Sequence, residues 1–409
     1  MWRWAAFAVL ALVTALGARA GYNAGADEAR AAIDAVPTRD WVVEDTPKIM
    51  ALVQAKTSPA NLKIVARQGD VRAQQLVGFA LVFDGADDPK PRDEGRTWLE
   101  KASARGYARA QTNLGVMYET GVSYPKNAND AMRWYRKAAD QNYARAQYHI
   151  ALLYMGGNGV AEDHHQAVAW LERAAAQGMS DAQSDLGDAY SDGDGVDQDF
   201  VQARRWYRHA ADQGDPRAQG DIGYLYAHGR GVAKDYAEAL RWFRRGADQG
   251  DAINQRHIGT LYYYGQGVAQ SYAEAAYWYR KAADQGESEA ENSLGLLYVE
   301  GNGVERDYGK AMRLFLDAAE QRNASADVSI GCLYNMGLGV TQDSVKAMQW
   351  FRRGADLGDP KGQFDVGALY ADGRGVARDE IQAHLWMDKA AAQGEASAQA
   401  WLQKHPLKR

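Results

Sequence analysis

One phrase recurs along this chain at a fixed spacing. Tyr118, Tyr154, Tyr190, Tyr226, Tyr262, Tyr298, Tyr334 and Tyr370 follow one another at a strict 36-residue step. Ahead of each stands a small-residue pair such as Leu186-Gly187 or Ile222-Gly223. Behind it come a Gly-x-Gly-Val turn, an Ala-x-x-Trp stretch and Ala-Ala-x-Gln-Gly. A period in the range of about 20–50 residues marks a solenoid, whose units cannot bury an apolar face alone and stack to do so. The expected fold is therefore all-α: an α-solenoid (superhelix) of about nine helix-turn-helix repeats of 36 residues.

Residues 182–214 show how one repeat should fold. Ala182, Leu186, Ala189 and Tyr190 recur at three- and four-residue spacing, the mark of one helix face. Gly193 and Gly195 should end that helix, since glycine accepts the left-handed backbone of a helix C-terminus. Asp199 should open the second helix as N-cap, with Gln202 completing a capping box; Asp163, Asp235, Ser271, Asp307, Asp343 and Asp379 stand at matching positions. Ala203, Trp206, Tyr207, Ala210 and Ala211 then form its inner face. Glycines 115, 187, 223, 259, 295, 331 and 367 fall mid-helix, where each costs about 1 kcal/mol against Ala. The expectation is that two helix backbones nearly touch there, with the Ala-Ala pair facing the contact. Tryptophans 98, 134, 170, 206, 242, 278, 350 and 386 should be plugs between repeats, with Leu314 the one replacement in the series.

Leu-Gly-x-x-Tyr, Gly-x-Gly-Val, Ala-x-x-Trp and Ala-Ala-x-Gln-Gly, in that order, resemble the Sel-1-like repeat family, a relative of tetratricopeptide repeats. The resemblance runs from residue 73 to 394 and weakens in the first two inter-helix turns, Asp84 to Pro89 and Gly121 to Pro125. The organisation expected is a signal peptide at 1–20, an N-terminal helical cap at 21–72, the solenoid at 73–397, and a C-terminal cap and basic tail at 398–409. Atypical end units shield the open faces of a solenoid.

The first twenty residues carry Arg3, an apolar run from Ala5 to Leu16, and Ala18-Arg19-Ala20, the pattern of a cleavable leader. That run is shorter than the ~20 residues of a membrane span, so the expected location is exported, periplasmic or secreted, with no stable span after cleavage. One cysteine, Cys332, leaves packing to hold the fold, in a buried apolar role. Net charge is −6, and no Lys/Arg run offers the basic face that phosphate neutralisation needs, which argues against a nucleic-acid partner.

Catalytic constellations fail on context. Ser123-Tyr124-Pro125-Lys126 has the Ser-x-x-Lys spacing of penicillin-recognising enzymes, yet lies in a turn where that motif needs a helix start, and no Lys-Thr-Gly follows. The Gly-x-Gly-Val turns follow helices and lack the third glycine of a phosphate loop. Asp192, Asp194, Asp197 and Asp199 lack the spacing of a calcium loop. His164 and His165 are adjacent on a helix and so face apart. The reading is no enzyme, no cofactor and no metal. Secreted, cysteine-rich members of the family act on penicillin-type antibiotics; this chain lacks their cysteine pairs, and the resemblance does not extend to that activity.

By analogy with tetratricopeptide units, first helices line a concave groove through positions two before, two after and five to six after the Leu-Gly leucine. Those positions hold Tyr148, Tyr224, His228, Arg256, Tyr263, Tyr264, Asn292, Asn335 and Phe364, with Leu296, Val328 and Met336 in the same rows. Tyr and Arg are enriched at binding hot spots. The expected function is a non-enzymatic exported scaffold binding another protein, as peptide or helix, in that groove. The resemblance adds envelope signalling and host interaction as settings. The alternative, from a different class, is a cell-envelope adaptor binding peptidoglycan or other polysaccharide on stacked tyrosines.

Overall fold

The computed structural model describes residues 19–35, 56–83 and 89–406. The expected leader up to residue 18, Asp84 to Asp88 of the first turn and the last three residues of the tail lie outside them. The described residues form twenty-one helices and no strand. The chain divides into two compact bodies, Met1–Gln213 and Gly214–Arg409. In the first, Arg19–Asp34 and Pro59–Arg67 precede four helix pairs, of which the last is Ser180–Asp192 with Phe200–Asp212. The second holds five pairs, from Pro216–His228 with Tyr236–Asp248 to Pro360–Asp372 with Glu380–Ala392, and ends on Ala396–Lys404.

The sequence signals act as read. Gly193 closes its helix at φ +76°, and its N–H reaches the Ala189 carbonyl. The second turn glycine answers a steric demand: a Cβ at Gly267 (φ +70°) would sit 2.7 Å from the Tyr236 backbone, where the preceding repeat's second helix begins. Asp235 accepts from the N–H groups of Ala237 and Glu238 at 2.9 and 3.0 Å, and the other expected caps make equivalent bonds. The capping box, however, is only half built. The Asp199 N–H is taken by the Tyr190 carbonyl at 2.8 Å, so Gln202 has no return bond to make. That bond recurs from cap residue to phase tyrosine, as in Asp235 to Tyr226 and Asp307 to Tyr298, and pins each turn across its base. Asp235→Ala should cost about 1 kcal/mol of stability through the lost cap. A loss of several kcal/mol in urea denaturation would assign Asp235 another role.

Packing follows two rules, one expected and one corrected. Within each body, second-helix tryptophans sit on the core shared with the repeat before them. Trp134 packs against Leu99 and Leu114, Trp278 against Leu240 and Phe243, and Trp386 against Phe351 and Val366. A cation three residues on covers the ring, as Lys137 does Trp134 at 4.0 Å and Arg245 does Trp242 at 4.2 Å. The mid-helix glycines do not mark touching backbones. Their space is filled by the side chain that follows the Trp position, an aromatic ring at six of the seven and Met387 at Gly367. A Cβ at Gly187 would fall 2.5 Å from the Tyr207 ring, and one at Gly223 2.6 Å from Phe243. The Ala-Ala pair instead meets the first helix of the next repeat, as Ala174 and Ala175 do Ala182.

A buried amide ladder joins successive repeats. Gln183 donates to the Ala175 carbonyl at 3.1 Å and accepts from Gln213 at 2.7 Å. The same side-chain bond links Gln141 to Gln111, Gln177 to Gln147, Gln249 to Gln219, Gln285 to Gln255 and Gln393 to Gln363. The first-helix glutamine of each rung is buried, where an orphaned amide would be costly, and the exposed second-helix glutamine satisfies its oxygen. Two rungs of the second body differ. Glu291 replaces one glutamine and accepts from Gln321 at 3.1 Å. Asp327 and Leu357 stand where two glutamines would, and Arg353 ion-pairs there instead, 3.2 Å from the fully buried Asp327 carboxylate.

Candidate functional site

The first helices carry the candidate site, and the structure sorts its expected members. In the first body, Tyr148 donates to Asp185 at 2.8 Å and packs on the neighbouring core of Ala182 and Leu186. The remaining eight lie in the second body. The rings of Tyr224 and His228, one helical turn apart, meet tilted at 3.9 Å, and Arg230 lies 5.3 Å from the Tyr224 ring. The His228 Nδ1–H donates to the Tyr224 carbonyl at 2.9 Å, which leaves its other ring nitrogen outward on an exposed side chain. Tyr263 is half-buried, edge-on to Tyr264 at 4.9 Å and to Tyr272 at 5.3 Å; burial, with Glu300 nearby, raises its pKa. Tyr264 is 63% exposed.

The other members are engaged within the fold. Arg256 bridges to the next repeat through Glu287 at 3.1 Å and Glu289 at 3.0 Å. Asn292 accepts from the Ser329 hydroxyl at 3.0 Å, and Asn335 lies 3.5 Å from an Arg374 nitrogen. Phe364 packs beside Met387, Ala390 and Trp401. Val328 corrects the sequence reading outright. It is buried in the core because Gly354 and Gly362 leave room that its methyls fill.

Two residues on these helices, His257 and Asp365, carry no signal in the sequence pattern. His257 stacks on Phe243 at 4.7 Å, and burial, helped by Arg256 and His228, holds it neutral with a pKa near about 3. Leu296, in the groove rows, is 40% exposed. Asp365 is half-buried, and its Oδ2 has no hydrogen-bond partner. Burial pushes Asp365 up to about 6 against the pull of Lys361. Its folded pKa therefore exceeds the unfolded value of about 3.9, so the ionised group weakens the fold above pH ~6 and the penalty fades as protonation proceeds toward pH ~4. Asp365→Asn should raise the melting temperature at pH 8 and change it little at pH 4. An equal shift at both pH values would rule out titration of Asp365 as the cause.

The motifs set aside on sequence have structural uses. His164 contacts Glu162 at 2.8 Å and Asp194 at 2.7 Å, and His165 donates to the Gly195 carbonyl at 2.7 Å, tying the acidic turn to the preceding repeat. Tyr124 stacks on Tyr118 at 4.2 Å. Cys332 is a free thiol packed against the core of Phe351 and Val366; burial, with Asp365 adding, pushes it up to about 11. Among the described residues no three His, Cys, Asp or Glu side chains converge to hold a metal ion, and no helix is long and apolar enough to cross a membrane.

Helix pairs stacked through plugs and amide rungs, with a row of aromatic groups left on the first helices, define a helical-repeat scaffold. The chain belongs to the Sel1 repeat family: the family model matches nine times, at 71–107, 108–143, 144–179, 180–215, 216–251, 255–287, 288–323, 324–359 and 360–395. Sel1 repeats form a non-catalytic scaffold for protein–protein interaction. Among solved structures, the chain is similar to a protective antigen of uropathogenic Escherichia coli strains displaying the same fold. That antigen is 33% identical, with 85% of this chain and 82% of that one covered and a TM-score of 0.61. A Sel1 repeat protein from Oxalobacter formigenes is 31% identical over 60% of this chain and 96% of that one, with a TM-score of 0.55. No curated protein matches the chain.

Proposed function

We propose that the chain is an exported, non-catalytic scaffold that binds a protein partner, as an extended peptide or a helix, across the first-helix face of its second body. The observation that carries this reading is the set of large side chains left uncovered there. Tyr264 and Met336 are each 63% exposed and Leu296 40%, and the first helix of the same body carries the Tyr224–His228 ring pair. Apolar area of that size is costly to leave in water and is typical of binding anchors. Arg256 is a poor anchor, because Glu287 and Glu289 already occupy it. The leader pattern at residues 1–20 supports export. Envelope signalling and host interaction are the settings in which such a scaffold would act.

The test is an affinity pull-down from envelope extract beside a Tyr224→Ala/Tyr264→Ala/Met336→Ser variant with an unchanged melting curve. A protein captured by the parent and lost by the variant supports the reading. Equal capture by both moves the site off this face. The exposed tyrosine also suits a sugar ring, so a catch displaced by cell-wall oligosaccharide would favour the polysaccharide adaptor instead.

A further inference from the structure

The corner between Glu320 and Asn323 breaks the repeat at a conformational cost. Helix pairs in the other repeats turn through glycine in the left-handed region, as at Gly214, Gly250, Gly286, Gly358 and Gly394, or through Asn142. At the matching position stands Arg322, with φ +63°. A branched-off Cβ is disfavoured in that region, and asparagine tolerates it far better than arginine does. Strain kept at one position of a repeat directs attention to what its side chain does.

Arg322 lines an open cleft of about 520 Å³ together with Gln349, Arg352, Arg353, Asp356 and Leu357. Two of the arginines are anchored from behind. Arg352 spends its Nε on Asp356, at 3.0 and 3.2 Å from the two carboxylate oxygens, and lies 4.6 Å from the Trp386 ring. Arg353 is held by the buried Asp327 at 3.2 Å, donates Nη2 to the Ala319 carbonyl, and lies 5.2 Å from Trp350. This leaves both Nη groups of Arg352 and Nη1 of Arg353 unspent, while the Arg322 guanidinium has no acceptor among the described residues. Leu357 contributes too. The glutamine that stands at its position in other repeats would donate to residue 327, and a glutamine at 327 would donate to the Ala319 carbonyl; with Leu357 and Asp327 in their places, both groups are left to Arg353.

We propose that this cleft binds a tetrahedral oxyanion, phosphate or sulfate, free or as a monoester. Three guanidiniums against two carboxylates leave the cleft with a net positive charge, and two of the three are pre-positioned, so little side-chain freedom is lost on binding. The geometry selects for shape. One guanidinium fork satisfies both oxygens of a carboxylate, whereas forks on two separate segments need an anion with oxygens pointing several ways. The site is separate from the first-helix face proposed for a protein partner.

The test titrates the full chain with inorganic phosphate, sulfate and acetate at ionic strength held constant with sodium chloride, reading tryptophan fluorescence and heat. Saturable binding of phosphate and sulfate, with none of acetate, is expected. O-phosphoserine identifies the source: tighter binding than phosphate means a monoester on a larger molecule, and equal binding means the free ion, both within the proposal. Arg322→Gly should weaken phosphate at least ten-fold while raising the melting temperature, because glycine suits the corner; the higher stability shows that the fold is intact. Unchanged phosphate affinity in Arg322→Gly, a response to phosphate no larger than to chloride, or acetate binding as well as phosphate would each overturn the proposal.

Discussion

Trp386→Ala should destabilise the C-terminal repeat by about 3–5 kcal/mol, the usual cost of emptying a large aromatic site in a core. Trp386 is 5% exposed and packs with Phe351 of the preceding repeat and with Val366 and Leu369 of its own first helix. Lys389 and Arg352 flank its ring at 4.0 and 4.6 Å, so the mutation also removes two cation–π contacts. Because solenoid repeats are coupled mainly to their neighbours, the loss should appear as an early, separate phase of urea unfolding assigned to residues 360–404. Leu314 shows what the site tolerates. Where the chain replaces the Trp with Leu, the residue three on is Asp317 and not a cation, so plug and cover change together. Trp386→Leu should accordingly lose less than Trp386→Ala. A Trp386→Ala unfolding curve that overlays the parent would end the assignment of these residues as inter-repeat plugs.

What was legible in the sequence was whatever recurs. Caps, turn glycines and plugs are local demands repeated at one spacing, and Asp235, Gly193 and Trp278 do what their types and positions require. Contacts set by a single departure in a distant segment were not legible. Arg256 reads as a free hot-spot residue until Glu287 and Glu289, more than thirty positions on, are found to hold it. Val328 reads as groove until glycines at 354 and 362 open a space for it. The amide ladder is written in the sequence as well, since its glutamines recur with the period and the buried amides of a solenoid need partners in the neighbouring helix. The cleft at Arg322 is the converse case, signalled by the one position where arginine replaces a turn glycine.

The second large effect expected is a reversal of sign at Gly187. Helix propensity alone makes Gly187→Ala favourable by about 1 kcal/mol. The structure predicts a loss of about 2 kcal/mol, because the new methyl would meet the Tyr207 ring at 2.5 Å and overpacking a tight core outweighs propensity. Tyr207 cannot give way cheaply, being 3% exposed with its hydroxyl on Asp188 at 2.7 Å. The chain itself contains the compensated version. Ala151 stands where other repeats have the glycine, and its second helix offers Leu171 in place of the aromatic residue, both fully buried in one core. The size of the first-helix residue is therefore matched to the ring opposite, and the two should be coupled energetically. Gly187→Ala/Tyr207→Leu should be more stable than the sum of its single mutants predicts, by at least about 1 kcal/mol in a double-mutant cycle. Strict additivity, or a Gly187→Ala protein more stable than the parent, would mean that the ring does not set the glycine.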